Sequence, residues 1–126
     1  MTASGSSQDT ARGLPRVDPL IHVPARLAIV ATLAAVEEAD FRYLLRATGL
    51  TKGNLSAHLS KLADAGYVHI TKTFRGKYPW TLCRLTPKGR AAFEAYRQAM
   101  RAYLDPAPPG GAQAATRASD DASDRS

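Results

Sequence analysis

The stretch "LTKGNLSAHLSKLADAGYV", residues 50–68, decides the reading of this chain. Thr51 is a helix-capping residue type ahead of a periodic apolar run, and Gly66 stands where a helix would stop. With Leu55 at 0° and about 100° per residue, Leu59 falls near 40° and Leu62 near 340°, a narrow inner stripe. Gly53, Ala57, Ser60 and Asp64 point away from it, while Asn54, Ser56 and Lys61 flank the outer face. A helix that is only solvated more often mixes Glu with Lys there. This one is small, polar and basic.

Working outward, Asp40 is an N-cap for a shorter helix, "FRYLLRAT", with Phe41, Leu44 and Leu45 inside and Gly49 as its stop. Upstream, "VPARLAIVATLAAV" has Pro24 near its start and is ended by "EEAD". Leu27, Ile29, Val30, Leu33 and Val36 lie around most of that helix, so it must be covered on more than one side. Downstream, "YVHITKT" alternates, with Val68 and Ile70 on one face. "FRGKYP" reads as a turn, and "WTLCRL" returns with Trp80, Leu82 and Leu85 as apolar positions. Thr86 and Pro87 open a last helix whose stripe is Phe93, Tyr96, Met100 and Tyr103.

The order is helix, helix, turn, helix, hairpin, helix. Two helices joined by a short Gly-containing turn are the helix-turn-helix signature, and a basic-tipped hairpin after them makes it winged. The fold class expected is mainly α with a small β-hairpin, a winged helix-turn-helix flanked by disordered tails. Residues 1–18 read as a disordered arm, 19–104 as the domain with a C-terminal dimerisation helix, and 105–126, a Pro/Gly/Ala start with a Ser/Asp end, as a disordered tail.

Charge agrees with an anionic partner. The chain of 126 residues carries a net +6 with a pI near 9.8. Between Pro19 and Leu104 thirteen Lys or Arg face five Asp or Glu, a net of +8, whereas residues 105–126 carry −2. Cys83 is the only cysteine, which excludes an intrachain disulfide and fits a reducing compartment. The N-terminus lacks the apolar core of a secretory signal, and "LAIVATLAAV" is too short to span a membrane. A cytoplasmic protein is expected. His22, His58 and His69 have no metal-ligand spacing, and no nucleophile–base constellation can be assembled. No metal, cofactor or enzymatic activity is expected.

A major groove about 12 Å wide admits one helix, whose N-terminal part reaches base edges. Residues 51–65 suit that role. Gly53, Ser56, Ala57 and Ser60 permit close approach; Lys52, Asn54 and Ser56 supply hydrogen bonds, and Asn can pair bidentately with adenine. Thr51, His58 and Lys61 complete the candidate set; His58 either touches backbone phosphate or braces the helix pair, and bracing is the favoured role. Residues 72–80 form the wing, where Lys72, Arg75 and Lys77 would neutralise phosphates or put one Arg into the minor groove. Tyr78 and Trp80, separated by Pro79, read as packing groups.

So small a core cannot easily cover both the first helix and the last one's stripe. A partner chain touching Leu27, Val30, Leu33, Phe93, Tyr96, Met100 and Tyr103 would solve this; the other solution is a last helix folded back on its own domain.

"VPARLAIVATL", "DFRYLLRATGLTKGNLSAHLSKLADAGYV" and "LTPKGRAAFEAY" together resemble the small bacterial winged helix-turn-helix transcriptional regulators related to the MarR and ArsR groups. The resemblance covers roughly residues 19–104. It implies a homodimer on a palindromic operator, with Lys52, Gly53, Asn54, Ser56 and His58 in or beside the reading helix and Arg75 and Lys77 in the wing. The chain lacks the longer helical frame that encloses the MarR ligand pocket and the cysteine pair of metal-sensing ArsR members, so an effector is left open. The expectation is a dimeric repressor acting by occlusion. The alternative is a winged-helix module that binds protein, although an interface would more often show Tyr, Trp or Leu on the outer face of the third helix.

Overall fold

The computed structural model describes residues 16–106. Its elements run α1 (Pro24–Ala34), β1 (Ala39–Asp40), α2 (Phe41–Thr48), α3 (Lys52–Asp64), β2 (Val68–Arg75), β3 (Tyr78–Leu85) and α4 (Pro87–Leu104). Local chemistry accounts for most boundaries. The Asp40 carboxylate accepts from Tyr43 N at 2.8 Å, Thr51 Oγ1 from Asn54 N at 3.1 Å, and Thr86 Oγ1 from Gly89 N at 2.9 Å. Gly49 and Gly66 take φ of 73° and 84°, conformations that a Cβ would oppose, so α2 and α3 stop there.

The sheet has three antiparallel strands in the order β1-β3-β2. Three details depart from the sequence expectations. β1 was unforeseen: two residues are too few for periodicity, and only pairing of Ala39 with Cys83 and Asp40 with Leu82 makes them a strand. The hairpin turn is shorter than "FRGKYP", because Arg75 pairs with Tyr78 and only Gly76, at φ 65°, and Lys77 remain between them. The apolar phase of β3 also differs. Val68 pairs with Leu85 and Ile70 with Cys83, so Cys83 and Leu85 enter the core, while Trp80 and Leu82 are half-buried on the other face.

The core joins Ile29, Val30 and Leu33 of α1, Leu44 of α2, Leu55, Leu59 and Leu62 of α3, and Val68, Cys83 and Leu85 of the sheet. Each buried leucine contributes about 2 kcal/mol by removal from water. Phe93 packs against this cluster, and Tyr96 is buried with its hydroxyl 2.8 Å from His22 Nδ1. Val30, Leu33 and Tyr96 therefore have no surface left for the partner chain expected of them: α4 folds back on its own domain at least as far as Tyr96. The α1 helix also ends before Val36, which leaves the helix but packs on the core. Arg90 donates to the carbonyls of Ala34 and Val36 at 3.2 and 3.1 Å, placing a cation at the C-terminal end of α1.

Arg16–Arg97 form one compact unit; the last turns of α4 lie outside it and carry Met100, Tyr103 and a 68% exposed Leu104. Almost all of the arm read as 1–18, and the tail beyond Pro106, lie outside the described residues. The end of the arm is structured: the carbonyl of Asp18 accepts from His22 N at 2.9 Å, and its carboxylate accepts from the Tyr67 hydroxyl. That hydrogen bond, then burial and the charge of Asp18, pushes Tyr67 from its ordinary 10.0 up to about 12. A raised folded value means the stabilisation is complete below pH 10 and lost as pH climbs toward 12. Unfolding titrations across that interval should show the loss in the wild type and a flatter profile in Tyr67→Phe; identical profiles would reject the assignment.

Candidate nucleic-acid interface

Gly49 to Thr51 is all that separates α2 from α3. Gly49 N reaches Leu45 O at 2.9 Å, and Leu50 N reaches Thr48 Oγ1 at 3.3 Å, so the turn's backbone is tied to α2. Leu55, Leu59 and Leu62 seat α3 by its inner stripe. The opposite face is open: Thr51, Lys52, Gly53, Asn54, Ser56, Ala57, Ser60 and Lys61 are all exposed. His58 is half-buried, and its Nδ1 is buried with no hydrogen-bond partner among the described residues, so it stands at the edge of this face rather than on it.

Gly53 carries more information than its size suggests. Gly53 is the second residue of α3, where glycine costs less than the roughly 1 kcal/mol of a helix interior but is still less favourable than alanine. Its backbone is not left-handed, and a Cβ there would meet nothing within 4 Å. Nothing in the chain's own fold requires glycine at this position.

The wing projects Lys72, Arg75 and Lys77 into solvent. Arg75 lies over the Trp80 ring, 4.6 Å from its centroid, and the Trp80 indole N–H donates to Asp40 Oδ2 at 3.3 Å. The Tyr43 N–H, with help from Trp80, Arg46 and Arg75, holds the Asp40 carboxyl below its usual range despite some burial. A cleft of about 700 Å³ opens here, its lining including Arg42 of α2, Lys52 of α3 and Arg75 of the wing. Cations from three elements thus share one hollow beside the start of α3.

One member of this site, Arg42, was missed in the sequence, and one neighbouring residue, Tyr78, was misplaced. Arg42 lies off the Phe41/Leu44/Leu45 stripe, and a helical projection of α2 would have exposed it. Trp80 supports the wing as a packing group, but Tyr78 does not: it is 76% exposed, as Phe74 is at 68%. With the turn reduced to two residues, both rings ride on strands beyond the end of the core. Among the described residues no group of three or more His, Cys, Asp or Glu could hold a metal, and no helix is long and apolar enough to cross a membrane.

Residues 25–104 match the family model described as winged helix DNA-binding domain. An uncharacterized protein of Methanocaldococcus jannaschii is 39% identical over 71 residues, covering 56% of this chain and 77% of that protein. Among solved structures, a transcriptional regulator homologue from Pyrococcus horikoshii OT3 superposes with a TM-score of 0.65 at 27% identity, covering 68% of this chain and 85% of the other. A MarR-family transcriptional regulator from Silicibacter pomeroyi aligns with a TM-score of 0.54 at 22% identity, covering 89% and 72% of the two chains, a likeness of fold.

Proposed function

Since the chain belongs to the winged helix DNA-binding domain family, we propose that it is a transcriptional regulator that reads duplex DNA with α3 in the major groove. The observation that carries this reading is the open face of α3, and Gly53 above all. The chain carries a glycine that its own packing does not need, on the exposed side of the helix with Asn54, Ser56 and Ser60. A closely approaching duplex supplies the reason. Thr51, Lys52 and Lys61 contact phosphates around that helix, His58 braces its edge, and Lys72, Arg75 and Lys77 hold the flanking backbone.

The chain acts as a homodimer on a palindromic operator and represses by occlusion. Its dimer surface draws on Leu27, Phe93, Met100 and Tyr103, the members of the original set that the core does not fully enclose. An exposed Leu104 at the end of α4 supports burial by a second copy there. Residues 19–104 are the working domain.

Anisotropy titrations of the chain against its own upstream DNA at several salt concentrations test the reading. Affinity should fall steeply as salt rises. Binding that is absent, or indifferent to salt, rejects it. Asn54→Ala should reduce the preference for the operator over random DNA by about 1–3 kcal/mol, the value of one bidentate base contact. Equal losses on both DNAs would remove Asn54 from the base-reading set. The exposed Phe74 and Tyr78 favour a second reading, a protein-docking wing; it requires a stable heteromeric complex and no nuclease protection of DNA.

A further inference from the structure

Arg75, Trp80 and Asp40 form a connected series that the wing's charge alone does not explain. Arg75 stacks on Trp80, Trp80 donates to Asp40 Oδ2, and Asp40 Oδ1 caps α2 through Tyr43 N. We propose that Trp80 and Asp40 are positioning residues for Arg75, fixing the wing's cation relative to the helix-turn-helix before DNA arrives. The proposal rests on the DNA-binding reading and assigns a role within it to two residues that touch no base.

The physical reasons are geometric and entropic. Wing and reading helix sit on different elements, and a hairpin that extends beyond the core has little to orient its end. Asp40 is suited to supply the reference because two of its contacts are directional and it belongs at once to β1 and to the start of α2. The indole N–H takes up one carboxylate oxygen while the helix takes the other. The indole face then offers Arg75 a flat seat, which guanidinium occupies better than ammonium does. An exposed arginine otherwise loses much rotamer freedom on binding; one already stacked loses less. Lys72 and Lys77 have no ring contact among the described residues, so the device serves Arg75 in particular.

A double-mutant cycle on DNA binding by the full chain separates positioning from general damage. Arg75→Ala and Trp80→Leu should each weaken binding on the order of tenfold, as expected for one charge-assisted contact. In the Arg75→Ala background, Trp80→Leu should add less than about twofold, because nothing is left to position. Asp40→Ser keeps a helix cap but cannot reach the indole; it should weaken the wild type and leave Arg75→Ala unchanged. Trp80 is the only tryptophan, so without DNA its emission should also shift on Arg75→Ala and on Asp40→Ser. Additive losses in both backgrounds, or an emission that neither change moves, would overturn the proposal while the DNA reading stands. No binding by the unaltered chain would overturn both.

Discussion

A Gly89→Ala chain should lose about 3 kcal/mol of stability, the upper part of the range for forced overpacking. A Cβ on Gly89 would stand 2.2 Å from Tyr67 O, 2.9 Å from its carbonyl carbon and 3.0 Å from its Cα. All three are backbone atoms, so no rotamer change relieves the clash. Tyr67 cannot withdraw either, since its carbonyl accepts from Thr86 N at 3.0 Å and it follows Gly66 in its left-handed turn. In a domain of this size such a loss lowers the melting temperature by roughly 12–24 °C, readily seen by circular dichroism. Gly53→Ala makes the opposite case. There a Cβ meets nothing within 4 Å, and helix propensity should raise stability by about 0.5–1 kcal/mol. If α3 approaches DNA closely, the same methyl should weaken binding. One alanine thus breaks the fold, and the other strengthens the fold at the expense of the complex. Unchanged binding by Gly53→Ala would argue against close approach at that position.

Neutralising the wing should produce the second large effect. In the triple variant Lys72→Ala, Arg75→Ala, Lys77→Ala, three counterion-releasing contacts disappear, so the slope of log affinity against log salt should become shallower by about 2.7. Near 0.1 M salt, binding should weaken by roughly a hundredfold, and by similar factors on operator and random DNA, because phosphates carry no sequence information. The three side chains are exposed, and the stacking of Arg75 on Trp80 is the only ring contact given for them among the described residues, so the melting temperature should fall by no more than a few degrees. A slope equal to that of the wild type would mean that the wing does not lie on the backbone, leaving α3 to account for the electrostatics. Asn54→Ala should behave in the reverse way, changing preference and keeping the slope.

What could be read without coordinates was what short-range chemistry determines. The Leu55/Leu59/Leu62 stripe, the caps at Asp40, Thr51 and Thr86, and the stops at Gly49 and Gly66 all involve residues within a turn or so of one another. Their periodicity survives in one dimension. The exposed face of α3 was legible for the same reason, since the side opposite a core stripe is known once the stripe is. The phase of β3 was not. Trp80 and Leu82 share one parity and Leu85 the other, so the strand alone cannot say which face turns inward; pairing with Val68 and Ile70 decides it.

Other features depend on residues far apart in the chain. Arg90 reaches back over fifty residues to the end of α1, Tyr96 reaches His22, and Trp80 meets Asp40. The placing of Val30, Leu33 and Tyr96 in the core rather than on a dimer face has the same origin. Val30, Leu33 and Tyr96 are apolar enough for either a core or an interface, and only the packing of α4 against its own domain distinguishes the two. Arg42 is different: helical projection could have found it, but only the wing's position shows that it shares a hollow with Lys52 and Arg75.

The place of Cys83 has a use of its own. It sits on the central strand between Ala39 and Ile70, wholly buried. That burial, with the charges of Asp40 and Glu38, pushes its thiol up to about 11. At neutral pH the sulfur is both protonated and out of reach, so an alkylating reagent must wait for the sheet to part from the helices. The chain therefore carries its own stopwatch: the rate at which this one thiol is blocked records how often the domain breathes, and a ligand that steadies the fold will slow it.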